Sequence, residues 1–374
     1  MVKLILLGLL AGAFFSSTFI LNELMSSAGG HWFWSASLRY VFMWLILTAI
    51  ITMQHGFGRI KALTTLFLEH WGFWCITGSI GFGMFYTGIC YAADHVAGWV
   101  VAATFMFTVV ASLLVLLAFG QRFDKKFVVY ACLVFFGVVL VNLSEGLRAS
   151  AMIITDSSSA LSMTETLLFG ALPALVAAFC YPIGNQLVWQ VSSNTKKINA
   201  QPPPADSQLI MEASLFTLVD KPVLNNADNN HSFNLSPDKP PPLLQKLIAR
   251  IPTIRTTLLH NAFNKVWLMT LGSLPFWLIL GMMVRPELPN TSQLFNTLLV
   301  ALLAGVAATS LFLYAREQAL TSSEVAGVDS TQASEVIFAL IGGIILLDNA
   351  LPSMMGLIGI ALIVLGLVLF AKGG

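Results

Sequence analysis

Apolar runs of about 20 residues recur along almost the whole chain, and this repetition constrains the fold more than any other feature. A helix that crosses a bilayer needs roughly that length of mostly apolar residues. Ten such runs can be read, bounded by charges, prolines or Gly/Asn/Ser clusters: Lys3–Met25, His31–Met53, His70–Ala93, Val96–Phe119, Phe127–Leu143, Leu167–Val191, Val266–Val284, Gln293–Arg316, Glu324–Leu347 and Pro352–Ala371. Only 10% of the 374 residues are charged and 57% are hydrophobic, against about 25% charged in a soluble domain. The expected class is an all-α polytopic membrane protein. The first run has a lysine ahead of it and Ser26-Ser27-Ala28 after it, as a signal peptide would. It is longer than a signal core and has a counterpart later in the chain, so it reads as a permanent helix.

Lysine and arginine fall on alternate loops. One set of loops carries Arg59, Lys61, Arg122, Lys125, Lys126 and the basic residues from Lys196 to Lys265; the other carries only Arg148 and Arg285. By the positive-inside rule both termini are expected in the cytoplasm, in a multi-pass protein of the inner or plasma membrane. A net charge of +1 with no basic domain argues against a nucleic-acid partner. Cys75, Cys90, Cys132 and Cys180 lie in apolar runs without metal-ligand spacing, so no metal or other cofactor is expected.

The chain divides into a first five-helix unit (1–145), an outer loop (146–166), and a second five-helix unit (167–191 and 265–371). The second unit is interrupted by an inner loop, 192–264, with Pro202–Pro204, Pro240–Pro242 and an Asn-rich tract. That composition cannot bury enough apolar surface to offset ordering entropy, so most of it is expected to be disordered. From Leu243 to Ile251 leucines and isoleucines recur at helical spacing with Lys246 and Arg250 between them. This reads equally as a basic amphipathic helix on the inner leaflet or as a linker enforcing topology.

Offset by 229 residues, His95–Val141 aligns with Glu324–Phe370 without a gap, and Val96-Ala97-Gly98 falls on Val325-Ala326-Gly327. Asn22-Glu23-Leu24 matches Asn185-Gln186-Leu187, and Trp44–Leu47 matches Trp277–Leu280. Five helices per unit is an odd number, so the second unit enters the membrane from the opposite side. Two inverted five-helix repeats, with a substrate site near mid-membrane, are the arrangement of many secondary transporters. An old duplication kept for packing is the plainer alternative.

The most expensive segment to bury is Glu324–Leu347, EVAGVDSTQASEVIFALIGGIILL. Ionisable residues inside hydrocarbon are functional candidates by default. Glu324, Thr331, Glu335 and Gly342 share one helical face, with Asp329 and Gln332 beside it. If the helix begins near Glu324, Glu335 lies about 16 Å deep, near the middle of the membrane. Arg39, roughly 12 Å into the second run, is expected at similar depth, and the two should pair because either alone is costly to bury. Asn22 and Glu23, and their counterparts Asn185 and Gln186 after Pro182, complete the candidates. Glu23 is expected to reach interfacial water. Phe105 and Phe107 point to different faces, so at most one can line a cavity.

The five-plus-five layout, Leu38-Arg39-Tyr40 in the second run and the closing LIVLGLVLF at Leu362–Phe370 resemble the drug/metabolite transporter superfamily, EamA-like branch. Ser16–Met43 and Tyr181–Trp189 are most similar to its multidrug resistance efflux transporter family. The resemblance implies export or exchange of small organic solutes, often against protons. The family's acidic residue near the end of the fourth run is replaced here by Gly120-Gln121, while Asp348 stands at the second-half position.

The chain contains no HExxH, GxSxG, DxD or Walker pattern, so an enzyme or a self-contained ATP-driven pump is not expected. The leading expectation is proton-coupled efflux of small hydrophobic or cationic molecules. The partners are then a small-molecule substrate, protons and the lipid bilayer, with a homodimer as a candidate assembly. The alternatives are a metabolite or amino-acid exporter and, from another class, a membrane scaffold or sensor acting through the inner loop.

Overall fold

The computed structural model describes residues 2–118, 125–155, 162–199, 251–254, 256–318, 324, 327–328 and 330–373. The described secondary structure is helical throughout. Nine of its helices are long and apolar enough to cross a membrane: α1 (Val2–Ser27), α2 (Trp32–His55), α4 (Trp71–Ala93), α5 (Gly98–Ala118), α6 (which extends as Lys125–Thr155), α7 (Met163–Ser192), α8 (Ala262–Val284), α9 (Thr291–Phe312) and α11 (Met354–Lys372). A shorter apolar helix, α10 (Thr331–Leu347), lies between the last two. Leu6, Leu10, Leu45, Ile76, Phe136, Ile279 and Leu365 are exposed on the outside of the bundle. An apolar exterior around a packed interior is what lipid solvent selects. The chain is therefore an integral, multi-pass membrane protein.

Three segments differ from the boundaries read in the sequence. Residues 57–69, placed in a basic loop, form a helix of their own, α3 (Phe57–Glu69). It buries Ile60, Leu63 and Leu66 on one stripe and leaves Lys61 and Thr65 outside. A run of only 13 residues with a three-residue step is too short to cross and too one-sided to float free. Gly56, at φ +75°, makes the turn into it. Helix α6, expected to stop at Leu143, continues to Thr155. Its 31 residues span about 46 Å, more than the apolar thickness of a bilayer. Glu145 and Arg148, one helical step apart, support the extension electrostatically. Most of the inner loop, 200–250, lies outside the described residues, including the proposed amphipathic stretch as far as Arg250. Its end, Ile251, Ile254 and Leu259, is buried against Ile60 and Leu63 of α3 and Trp267 of α8.

The segment read as one continuous span is helical at Glu324, Gly327, Val328 and Ser330, tightens into a 3₁₀ turn at Thr331–Ala333, and continues as α-helix from Ser334 to Leu347. Ser330, Thr331 and Ser334 each donate a side-chain hydrogen bond to the carbonyl three residues back, Gly327, Val328 and Thr331 respectively, at 2.6–2.7 Å. Hydroxyls that bond preceding carbonyls in this way compete with the α-helical ladder. Glu335 follows directly on this turn.

Helix pairs are arranged around a central space. Helices α6 and α11 lie flush because Gly137 and Gly359 bring their backbones together; a Cβ on Gly137 would run into the Gly359 carbonyl at 2.6 Å. Helix α1 contacts α9 and α10, while α7 contacts α4 and α5. Helix α8 packs on α4, and α9 on α2.

Candidate functional site

The bundle encloses a cavity of about 680 Å³. That is within the range of sites for small organic ligands, about 300–1,000 Å³. At one end its lining reaches Trp189 and His260, both exposed, with Ser192 and Lys265 beside them. Deeper in, six helices supply one group each that matters: Thr18 from α1, Arg39 from α2, Phe82 from α4, Phe105 from α5, Tyr181 from α7 and Glu335 from α10.

Helix α10 can bring Glu335 to the cavity because α1 offers it small residues. Gly8 faces Thr331 and Gly12 faces Ser334, so closely that a Cβ on either glycine would overlap those hydroxyls. Small residues at alternate turns let helices approach and let polar side chains nestle between them in lipid. Thr331 and Ser334 are thus spent on structure, and the next residues along, Gln332 and Glu335, are left to line the cavity.

Arg39 is 8% exposed and occupies an aromatic seat. Its guanidinium lies 4.1 Å from the centre of the Tyr86 ring, and Nη1 donates to Thr18 Oγ1 at 3.3 Å. Such cation–π contact is worth about 2 kcal/mol when desolvated. Tyr86 is held in turn by Asn22, whose amide donates to the phenolic oxygen at 3.1 Å. Tyr40, adjacent to Arg39, stacks between Phe82 and Trp277 with ring centroids 5.1 and 5.7 Å away. Nε of Arg39 is buried and has no hydrogen-bond partner among the described residues.

The ion pair expected between Arg39 and Glu335 is not formed. The guanidinium face belongs to Tyr86, and Glu335 is half-buried in the cavity wall without an ion-pair contact to Arg39. Tyr181 feels both charges and hydrogen-bonds to Asn185 one turn along α7. Its ring packs on Phe85 and Phe105, with centroids 5.1 and 5.8 Å away. The aromatic wall and the two charged groups therefore face the same space.

Of the residues singled out in the sequence, Glu335, Gln332, Arg39 and Asn185 line the cavity. Asn22 supports it from behind through Tyr86. Glu23, expected to reach interfacial water, is half-buried and bonded on both oxygens: Oε2 accepts from the Gly98 backbone N–H at 2.7 Å and Oε1 accepts from the Asn349 amide at 2.8 Å. It ties three segments together at the closed end of the bundle, where it neutralises the N-terminus of α5. Gln186 is not among the residues lining the cavity; its buried Nε2 lacks a partner among the described residues. Asp329 lies outside the described residues, as do Gly120 and Gln121. Asp348 is exposed and ends α10 in the left-handed conformation, φ 53°. Phe105 lines the cavity, whereas Phe107 lines a separate apolar hollow with Phe135 and Phe179. Sequence reading missed Thr18 and Tyr181, which carry no charge, and Gly8 and Gly12, whose i,i+4 spacing was a usable signal.

The profile of one transporter family, EmrE, described as "putative multidrug resistance efflux transporter", matches residues 2–373. The chain belongs to this family. A relative, protein YjlA of Bacillus subtilis (strain 168), is 31% identical over 379 residues, covering 98% of this chain and 94% of that protein. A 42.1 kDa protein of Shouchella clausii is 28% identical over 328 residues, covering 84% of this chain and 65% of its own length. Among solved structures, one crystal structure aligns over 99% of this chain and 96% of the other with a TM-score of 0.50 and 13% identity. Likeness at that identity concerns the fold alone. Membership of the EmrE-type family makes the chain a transporter of the drug/metabolite superfamily, which takes a small molecule as substrate and works in a membrane.

Proposed function

We propose that the protein is a secondary active exporter of small organic solutes, driven by protons, with Glu335 as the coupling carboxyl. The observation that carries this reading is the position of Glu335: among the described residues it is the acidic side chain on the wall of a mid-bundle cavity, without an ion pair to the deeply buried Arg39. A carboxyl in such a place binds a proton readily when the cavity is empty and dry, and gives it up when a favourable charge or water arrives. The charged or titratable groups sharing the cavity are Arg39, Tyr40, Tyr181, His260 and Lys265. The last two lie at its exposed end.

The contacts between helices support two inverted five-helix repeats, with α10 as the tenth crossing. Exchanging α1 with α7, α2 with α8, α4 with α9, α5 with α10 and α6 with α11 carries one set of contacts onto the other. The α1–α9 and α1–α10 contacts map onto α7–α4 and α7–α5, and α2–α9 maps onto α8–α4. Pairs α6–α11, α2–α8 and α5–α10 map onto themselves. Helices α4 and α9, exchanged by this operation, both contain a π-helical stretch, at Ser79–Met84 and Ala301–Ala308. With the basic loops inside, the exposed end of the cavity faces the cytoplasm and the Glu23–Gly98–Asn349 tie closes the outer side.

The test is uptake into inverted vesicles driven by an inward-acid pH gradient, across a panel of cations and amino acids. Glu335→Gln is expected to abolish pH-driven uptake at normal protein levels. Unchanged pH dependence would make Glu335 structural. Removing residues 202–240 separates transport from a scaffold role: a transporter retains uptake, and a scaffold leaves the vesicles inactive in both forms.

A further inference from the structure

We infer that the cargo is a zwitterion with an apolar body, its carboxylate seated on Arg39 and its amine facing Glu335; this rests on the exporter reading and names its substrate class. Arg39 is a deeply buried cation with no carboxylate partner among the described residues. Tyr86 covers one face at 4.1 Å, Thr18 takes one N–H at 3.3 Å, and buried Nε has no acceptor among the described residues. A guanidinium presents five donors in a planar fork that matches a carboxylate. The Tyr86 hydroxyl also bonds to the guanidinium, buried Nε keeps a donor without a partner among the described residues, and the residue lines the cavity.

Glu335 is the complementary group on the same cavity, and it has no ion pair with Arg39. Two opposite charges kept apart in a low-dielectric site each leave a demand for an opposite charge. A cationic drug would answer Glu335 and bring its own charge toward Arg39. An organic anion would do the reverse. A molecule carrying both charges satisfies both. The remaining lining supplies the apolar contact: Phe85, Phe105 and Tyr181 form one cluster, and Phe82 with Tyr40 another.

The same arrangement explains exchange. A substrate amine and a proton compete for Glu335, while Arg39 holds the carboxylate throughout. Arrival of the amine displaces the proton, and departure of the cargo leaves the carboxylate free to take one up. A purely anionic cargo would favour protonated Glu335 and travel with the proton, opposite to the direction proposed above.

Binding of three probes with the same ring tests this on the purified full-length protein in detergent, by isothermal titration. The probes are L-phenylalanine, its methyl ester (a cation) and 3-phenylpropionate (an anion). The zwitterion is expected to bind at least about tenfold more tightly than either analogue, which is about 1.4 kcal/mol. Arg39→Gln is expected to erase the advantage over the ester, and Glu335→Gln the advantage over phenylpropionate. Arg39→Lys, which keeps the charge without the planar fork, is expected to lose part of the affinity and serves if Arg39→Gln fails to fold. The inference is overturned if the ester or phenylpropionate binds as well as phenylalanine to the unmodified protein, or if no probe binds at millimolar concentration. Binding requires neither a gradient nor turnover, so that failure leaves pH-driven export to be decided by transport.

Discussion

The seat of Arg39 can be taken apart one atom group at a time through Tyr86. The residue is fully buried, and its hydroxyl and ring do different jobs: the oxygen accepts from Asn22 at 3.1 Å, and the face supports the guanidinium at 4.1 Å. Tyr86→Phe removes only the oxygen. It strands the buried amide of Asn22, a loss of about 1–3 kcal/mol, and leaves the ring beneath Arg39. Tyr86→Ala removes the ring as well. Large-to-small changes of buried aromatics cost about 3–5 kcal/mol, and the lost cation–π contact adds about 2 kcal/mol. The expected order of stability is wild type, then Tyr86→Phe, then Tyr86→Ala, with the larger step between the last two. Denaturant unfolding of the detergent-solubilised protein, followed by tryptophan fluorescence, measures it. Adding Asn22→Ala to Tyr86→Phe should restore part of the first loss, because the stranded amide is removed. Equal stability of the phenylalanine and alanine variants would refute the argument, since the ring would then contribute nothing to holding the buried charge.

Three further outcomes follow from the packing and the charge pattern. Gly12→Leu, which drives a side chain into Ser334 and the Thr331 carbonyl, should cost about 1–3 kcal/mol or more and lower the folded yield in a fluorescence-detected size-exclusion assay; Leu10→Ala, on the exposed side of the same helix, should leave the yield unchanged. Glu23→Ala should lose charge-assisted bonds to Gly98 and Asn349, with about 1.5–3 kcal/mol of stability measurable by thermal unfolding, while Glu165→Ala on an exposed capping turn should be far milder. Topology reporters placed after Gly374 and near Asn226 should both report the cytoplasmic side, and an external signal from either would break the inverted-repeat arrangement.

Hydrophobic length and charge placement were enough to read the class and most helices, because in lipid both are imposed by the solvent and act locally. The α3 helix escaped notice because its apolar stripe, Ile60, Leu63 and Leu66, is too short to register as a span and acquires meaning only against Ile251 and Leu259, nearly 200 residues away. Glu335 and Arg39 were legible as costly residues at similar depth. Their relation was not. Sequence offers a charge pair as the cheapest solution, whereas the fold finds another in the Tyr86 ring, a choice that depends on how α2 and α4 are rotated. Thr331 and Ser334 fill the hollows above Gly8 and Gly12 and bond back to the carbonyls of Val328 and Thr331. Reading Thr331 as part of the polar stripe with Glu335 assigned to a cavity a residue that packs on Gly8.

Proton coupling at Glu335 is tested most directly in proteoliposomes by comparing two modes of transport in the same preparation. Wild-type protein should accumulate cargo against its gradient when the lumen is made acid, so that protons flow outward, and should also exchange cargo for cargo without any gradient. Glu335→Gln, which keeps the shape of the side chain and removes its charge, should lose gradient-driven accumulation and retain exchange at saturating cargo. Accumulation by Glu335→Gln that still follows the pH gradient would contradict the account, because the proton would then be carried elsewhere.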